Sequence, residues 1–371
     1  MKKATVSVIN DLVTDQRVHK VCTTLNNLGF DVVLVGRKQR ASLPLAPREY
    51  RTHRMKLLFE KGVLFYSFFQ LRLFFYLLFR KQHVLVSNDL DTLMPNYLVS
   101  KLKGIPLVYD SHEIFTEVPE LQGHNFKQRV WRRVEKWIFP KLKNVFTVNQ
   151  SISDWFFDKY KVRPLVVRNM PRKGNGMHAT ATRAELNLPS DKKIVLLQGA
   201  GINVDRGSEE LVQAMKFLTS VHLLIVGSGD VIPKLQQIVT QERLTERVTF
   251  TGKVPHEMLQ KYTAVADLGV TLDKPTNINY RLSLPNKIFD YIRAGVPVLC
   301  SDLPEVARIV RDYKVGVVAG SFDPKKIAEI ISGALHSPEY PDWKLNTAKA
   351  AEELCWETDE TNLIKVYSQY L

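Results

Sequence analysis

The run YRLSLPNKIFDYIRAGVPVLCSDLPE, residues 280–305, constrains this chain more than any other stretch. A polar loop meets a helix start near Pro285, Lys287 and Asp290 stand one turn apart on that helix, Ala294-Gly295 closes it, and an apolar strand follows over residues 296–300. Free backbone N–H groups and the positive dipole end make such a helix start favourable for a phosphate; Lys287 adds a formal charge, and Asp290 can accept from sugar hydroxyls. An ordinary crossover with a solvated lysine and aspartate has the same spacing. The residues alone leave both readings open.

The chain opens with a strand at residues 5–10, a helix at 15–29 with apolar Val18, Val21, Cys22, Leu25 and Leu28, and a second strand at 31–36. That alternation predicts a parallel sheet. The intervening loop, NDLVTDQRV, lacks the glycines of a dinucleotide fingerprint, which argues against a nicotinamide oxidoreductase. Asp15 and Arg17 read either as a helix-start acid with a solvated cation or as groups offered to a ligand.

Composition narrows the class. With 371 residues, 45% of them apolar and 24% charged, the chain reads as a two-domain globular protein. Cys22, Cys300 and Cys355 are far apart and sit in apolar segments, so they read as buried thiols in a reducing compartment. No export signal is apparent at the N-terminus, and a cytoplasmic protein is expected. The net charge of +14 is lopsided: residues 1–163 hold 27 Lys and Arg against 14 Asp and Glu, while residues 164–371 hold 25 against 24. A basic first half attracts polyanions, and without any nucleic-acid-binding signature an anionic membrane surface is the expected partner, with no nucleic acid.

Residues 57–79, LLFEKGVLFYSFFQLRLFFYLLF, sharpen that expectation. Glu60, Lys61, Gln70 and Arg72 disfavour a transmembrane span, leaving an interfacial helix with the cations Arg48, Arg51, Arg54 and Lys56 before it, or a core helix on the first sheet. Further on, Asp89 and Asp91 form a D-x-D that could chelate a divalent cation, but no nearby carboxylate or histidine completes a shell. His112 follows a strand in YDSHEIF, where ligands of parallel sheets collect, or is a loop histidine bonded to Asp110 or Glu113. A basic helix is expected over residues 126–143. A Pro/Lys/Gly/Asn-rich shift within residues 161–176 marks a linker.

The donor-like run SLPNKIFDYIRAGVPV resembles glycosyltransferase family 4, retaining enzymes of the GT-B fold. The resemblance covers most of the chain and is densest over residues 194–305. It implies two Rossmann-like domains facing across a cleft, residues 1–165 and 166–353, with 354–371 a helix returning to the first. It implies that Asp290 holds ribose, that Ser283, Leu284, Pro285 and Asn286 line the donor, and that Lys287 meets its diphosphate. Arg206 stands where the family's glycine-rich loop has a lysine, beside Gly199, Gly201 and Gly207, and Gly227 falls on a nucleotide-side turn. His112 would face the transferred sugar, and Asp15 and Arg17 would stand on the acceptor side. Leu282 replaces the usual first Glu, and Gly201 replaces a common second Arg.

The resulting expectation is a metal-independent glycosyltransferase needing no cofactor. A UDP- or GDP-sugar would be its substrate, and a glycan or lipid-linked hydroxyl its acceptor, at the inner face of the cell membrane. A nucleotide-sugar epimerase of the same fold, or a catalytically weak membrane-associated nucleotide-sugar binding protein, is the alternative.

Overall fold

The computed structural model describes residues 1–13, 15–40, 42–174 and 181–371. Asn175 and Gly176, the end of the expected linker, lie outside the described residues, as does Thr14 of the first loop. The chain divides into two compact units, residues 1–169 with 359–371, and residues 170–358.

The first unit holds seven strands: β1 (Lys3–Asp11), β2 (Asp31–Lys38), β3 (Arg51–Lys56), β4 (Val84–Asn88), β5 (Leu107–Ser111), β6 (Asn144–Thr147) and β7 (Leu165–Val166). They pair in parallel in the order β3-β2-β1-β4-β5-β6-β7. The second unit holds β8 (Lys193–Gly199), β9 (Val221–Gly227), β10 (Val248–Gly252), β11 (Leu268–Thr271), β12 (Val298–Ser301) and β13 (Gly316–Ala319). Their order is β10-β9-β8-β11-β12-β13, again parallel. Helices cover both faces of such sheets, which is why β4 and β8 carry the consecutive apolar residues 84–86 and 194–197. Each sheet reverses its order once, between β1 and β4 and between β8 and β11. The crevices beyond the carboxyl ends of those strands are where an open α/β sheet binds ligands.

The helix Gly62–Leu78 packs on the first sheet along one face, as the core reading expects, and leaves apolar side chains exposed on another. Phe65, Phe69, Leu73 and Leu77, spaced by four, are buried with Val35, Met55, Leu85 and Val99. Leu64, Leu71, Phe75 and, just beyond the helix, Phe79 are exposed. Residues 57–61 precede the helix. Among the described residues no helix is long and apolar enough to cross a membrane.

The helix Trp356–Tyr367 begins in the second unit, and from Asp359 onward the chain belongs to the first. There Asp359 receives the Arg168 guanidinium at 2.8 and 2.9 Å, Asn362 donates to the Val166 carbonyl at 2.9 Å, and Tyr367 packs on Phe146.

Candidate functional site

In the second unit the site is built from the ends of β8 and β11. The loop after β8 is fastened to the end of β11 by the Lys274 amide donating to the Asp205 carbonyl at 2.9 Å. Gly207 makes that approach possible: its φ is +68°, and a Cβ there would stand 2.2 Å from the Leu272 carbonyl oxygen. Arg206 is thereby delivered to Asp273, Nη1 to Oδ2 at 2.6 Å, with its guanidinium carbon 4.0 Å from the centre of the Tyr280 ring.

Lys287 begins the seven-residue helix Lys287–Arg293. Its Nζ reaches over Gly199, 3.8 Å from where a Cβ on that glycine would lie. Burial pulls this ammonium below the usual lysine range; Asp273 opposes the shift and Arg206 adds to it. Among the described residues Lys287 shows no ion pair, so an inward-facing cation stands beside a second cation at the switch point. The helix is anchored there by Tyr291, whose hydroxyl donates to the Leu196 and Val270 carbonyls at 3.2 Å and accepts from the Gln198 amide at 3.3 Å.

One turn on, Asp290 Oδ2 accepts from the Gln198 side-chain amide at 3.2 Å, and Gln198 Oε1 accepts from Thr263 Oγ1 at 2.7 Å. The loop ahead of the helix is held by its own bonds: Ser283 Oγ donates to the Tyr280 carbonyl at 2.9 Å, and the Pro285 carbonyl accepts from Ile288. Leu284, expected to line the donor, buries its side chain in the core with Ile288 and Phe289, because the turn directs it beneath the loop. Asn286 is exposed. Gly199 and Gly227 end β8 and β9 side by side, and Gly201 follows in the same loop.

The first unit gathers a different cluster at the ends of β4 and β5. Arg17 is only 4% exposed and grips Asp110 with two bonds, Nη2 to Oδ1 at 2.7 Å and Nε to Oδ2 at 3.0 Å, while Nη1 donates to the Val167 carbonyl. Arg17 is therefore not a solvated cation; its charge turns inward, toward Asp110. Asp15 caps the helix Gln16–Asn27 by accepting from the Val18 amide at 3.0 Å.

His112 lies between two carboxylates. Nδ1 faces Asp89 Oδ2 at 3.2 Å, Nε2 faces Asp110 Oδ2 at 3.5 Å, and the backbone amide donates to Asp89 Oδ1 at 2.8 Å. A neutral imidazole would turn one lone pair toward an anion, so this geometry selects the doubly protonated ring. Burial would lower the pKa, but Asp89 and Asp110 outweigh it and raise it to about 9, with Arg17 opposing. Asp89 adopts φ +56°, and its amide donates to the Asp110 carbonyl. Asp91 points elsewhere, in the first turn of the helix Leu90–Lys103, where burial, then Asp89, pushes its carboxyl well above the usual range. Among the described residues no three His, Cys, Asp or Glu side chains are disposed to hold a metal ion.

Sequence reasoning missed Asp273, Gln198, Thr263 and the ring of Tyr280. Asp273 carries a signal in hindsight, since it follows an apolar strand directly, but only the strand order reveals that this strand borders the switch point.

Comparison with known proteins agrees with this architecture. Residues 15–170 match the model described as Glycosyltransferase Family 4, and residues 192–337 the one described as Glycosyl transferases group 1, one on each unit. The alpha-D-kanosaminyltransferase of Streptomyces kanamyceticus is 23% identical over 256 residues, 66% of this chain and 64% of that protein; the chain thus spans under two thirds of this relative. Sucrose-phosphate synthase from Thermosynechococcus elongatus superposes with a TM-score of 0.79 at 19% identity, covering 100% of this chain and 99% of that one. HepE from Anabaena in complex with UDP-glucose does so with a TM-score of 0.76 at 15% identity, covering 100% of both. With two parallel-sheet Rossmann-like units and both halves matched, the chain belongs to glycosyltransferase family 4 and has the GT-B fold.

Proposed function

We propose that the chain moves a sugar, with retention of configuration, from a UDP- or GDP-sugar to a hydroxyl of a glycan or lipid-linked acceptor in cell-surface glycan or glycolipid assembly. The observation that carries this reading is the arrangement beyond β8 and β11: Arg206 and Lys287 together, with Asp290 one turn further on. That sequence of charges suits a diphosphate followed by a ribose. As negative charge grows on the leaving diphosphate, the two cations stabilise it, and Asp290 accepts from the ribose hydroxyls. With retention, the acceptor hydroxyl gives its proton to the departing phosphate oxygen on the same face, so no side-chain base is required. His112, protonated on both nitrogens, is suited to act as a fixed cation and not as a base. Protein charges neutralise the diphosphate, and no divalent metal or other cofactor takes part.

The same reading puts the protein in the cytoplasm, peripheral to the inner face of the cell membrane. Support comes from the exposed stripe Leu64, Leu71, Phe75 and Phe79. A second helix, Asn125–Ile138, exposes Phe126, Val130 and Trp137 among Arg129, Arg133 and Lys136. Apolar side chains interleaved with cations are what an anionic headgroup layer binds.

The test is incubation of the purified chain with a panel of UDP- and GDP-sugars. Slow donor hydrolysis with release of the nucleoside diphosphate is expected. An isomerised donor would replace this reading with an epimerase, and binding without turnover would replace it with a regulatory protein.

A further inference from the structure

Asp273 is a carboxylate beside the cations assigned to a diphosphate, where Coulomb's law alone would make it a hindrance. It is 2% exposed. One oxygen pairs with Arg206; the other, Oδ1, has no hydrogen-bond partner among the described residues and is shut off from solvent, as is Arg206 Nε. A buried ion pair with unmet hydrogen-bonding capacity on both sides is a poor stabiliser, because desolvation of the charges offsets much of their attraction. Its effect is instead directional. Asp273 holds one edge of the guanidinium, the Tyr280 ring covers a face at 4.0 Å, and the Asp205–Lys274 and Gly207–Leu272 approaches fix the backbone on either side. The Asp273 carbonyl, in turn, accepts from Ser301 Oγ at 2.7 Å, tying the carboxylate's own backbone to β12.

We propose that Asp273 is a positioning residue of the donor site, fixing the Arg206 guanidinium in the orientation that meets the leaving diphosphate before any donor arrives. The proposal rests on the donor-site reading above. Preorganising a long cationic side chain removes the cost of ordering it on binding, and in this arrangement that gain exceeds the repulsion between Asp273 and the diphosphate.

Two accounts of Asp273 predict opposite signs. If it is only a neighbouring anion, Asp273→Asn relieves repulsion and tightens diphosphate binding. If it positions Arg206, Asp273→Asn weakens binding by about 30-fold or more, as expected when one partner of a buried charge pair is removed. The experiment is calorimetric titration of the full chain with UDP and with GDP. It covers the wild type, Asp273→Asn, Asp273→Glu, Arg206→Ala and the Arg206→Ala/Asp273→Asn double variant. Expected are weak binding by Asp273→Asn, partial recovery by Asp273→Glu, and no additional loss in the double variant relative to Arg206→Ala, since without the guanidinium there is nothing to position. Unchanged or tighter binding by Asp273→Asn overturns the proposal, as does an equal loss from Asp273→Asn in the Arg206→Ala background, which would mark a general structural role. Should Asp273→Asn not fold, the comparison of Asp273→Glu with wild type decides: a loss of binding greater than that of Arg206→Ala overturns the proposal. A wild type that binds neither nucleotide overturns the donor-site reading itself.

Discussion

The Gln198 side-chain amide donates to Asp290 while its carbonyl accepts from Thr263, so the carboxylate assigned to ribose is braced through a chain running back to the helix His256–Ala264. Breaking the brace should loosen Asp290 without touching the phosphate cations. Gln198→Leu is therefore expected to raise the donor KM by about 10-fold or more with a smaller change in kcat, as loss of a single hydrogen bond to a charged group implies. Steady-state kinetics with varied donor would show it; a pure kcat loss would mean that Asp290 is not a ground-state ligand.

The cations themselves should behave differently. Arg206→Ala and Lys287→Ala are each expected to lower turnover by about 100- to 1000-fold, because they act on charge that develops in the transition state. Thermal unfolding should stay close to wild type in Lys287→Ala, whereas Arg206→Ala, which leaves Asp273 buried without its counter-ion, should fold with a lowered melting temperature. Rates near wild type in both would remove the phosphate assignment.

His112 makes stability depend on pH. Its pKa is raised from 6.5 to about 9 in the folded protein. The stabilisation is thus fully present below about pH 6.5 and is lost as pH rises through about 9, by up to about 3 kcal/mol. Denaturant unfolding across that range should show the decline in wild type and a flatter profile in His112→Gln. Equal slopes would mean that the ring is neutral when folded.

Asp91 separates the metal-dependent from the metal-independent chemistry. Burial and the neighbouring Asp89 push its carboxyl well above the usual range, so Asn, neutral and of the same shape, is the mild replacement. Asp91→Asn is expected to keep most of the activity, and excess EDTA to leave the rate nearly unchanged. Loss of activity in both experiments would revive a metal site at Asp89 and Asp91.

The two faces of the helix Gly62–Leu78 can be told apart by mutation. Phe69→Ala, in the core, should cost about 3–5 kcal/mol of stability. Leu71→Ser with Phe75→Ser, on the exposed stripe, should leave stability within about 1 kcal/mol and reduce sedimentation with anionic vesicles at low salt. Unchanged sedimentation would show that this stripe does not meet the membrane.

These tests follow how legible the molecule was in its sequence. Parallel strands buried on both faces carry apolar stretches such as VLV in β4, IVLL in β8 and VLC in β12, so these could be read directly, and the spacing of Lys287 and Asp290 put both on one helix, where the structure has them. Partners distant in sequence could not be read. Nothing local tells Arg17 that its counter-ion is Asp110, or Arg206 that Asp273 waits at the end of a strand that becomes adjacent only in the folded sheet. The helix Gly62–Leu78 was ambiguous for another reason: it is apolar around most of its circumference, so periodicity could not assign its inner face.

The passage of residues 359–371 back into the first unit has a consequence for synthesis. The second unit is one uninterrupted segment and can close its core as soon as it has emerged, whereas the first is assembled from two pieces separated by all of the second. Until Asp359 and Tyr367 exist, the Arg168–Asp359 ion pair and the Phe146–Tyr367 ring contact cannot form. The part made first is therefore the part completed last, and its exposed edge is a natural client for a chaperone during translation.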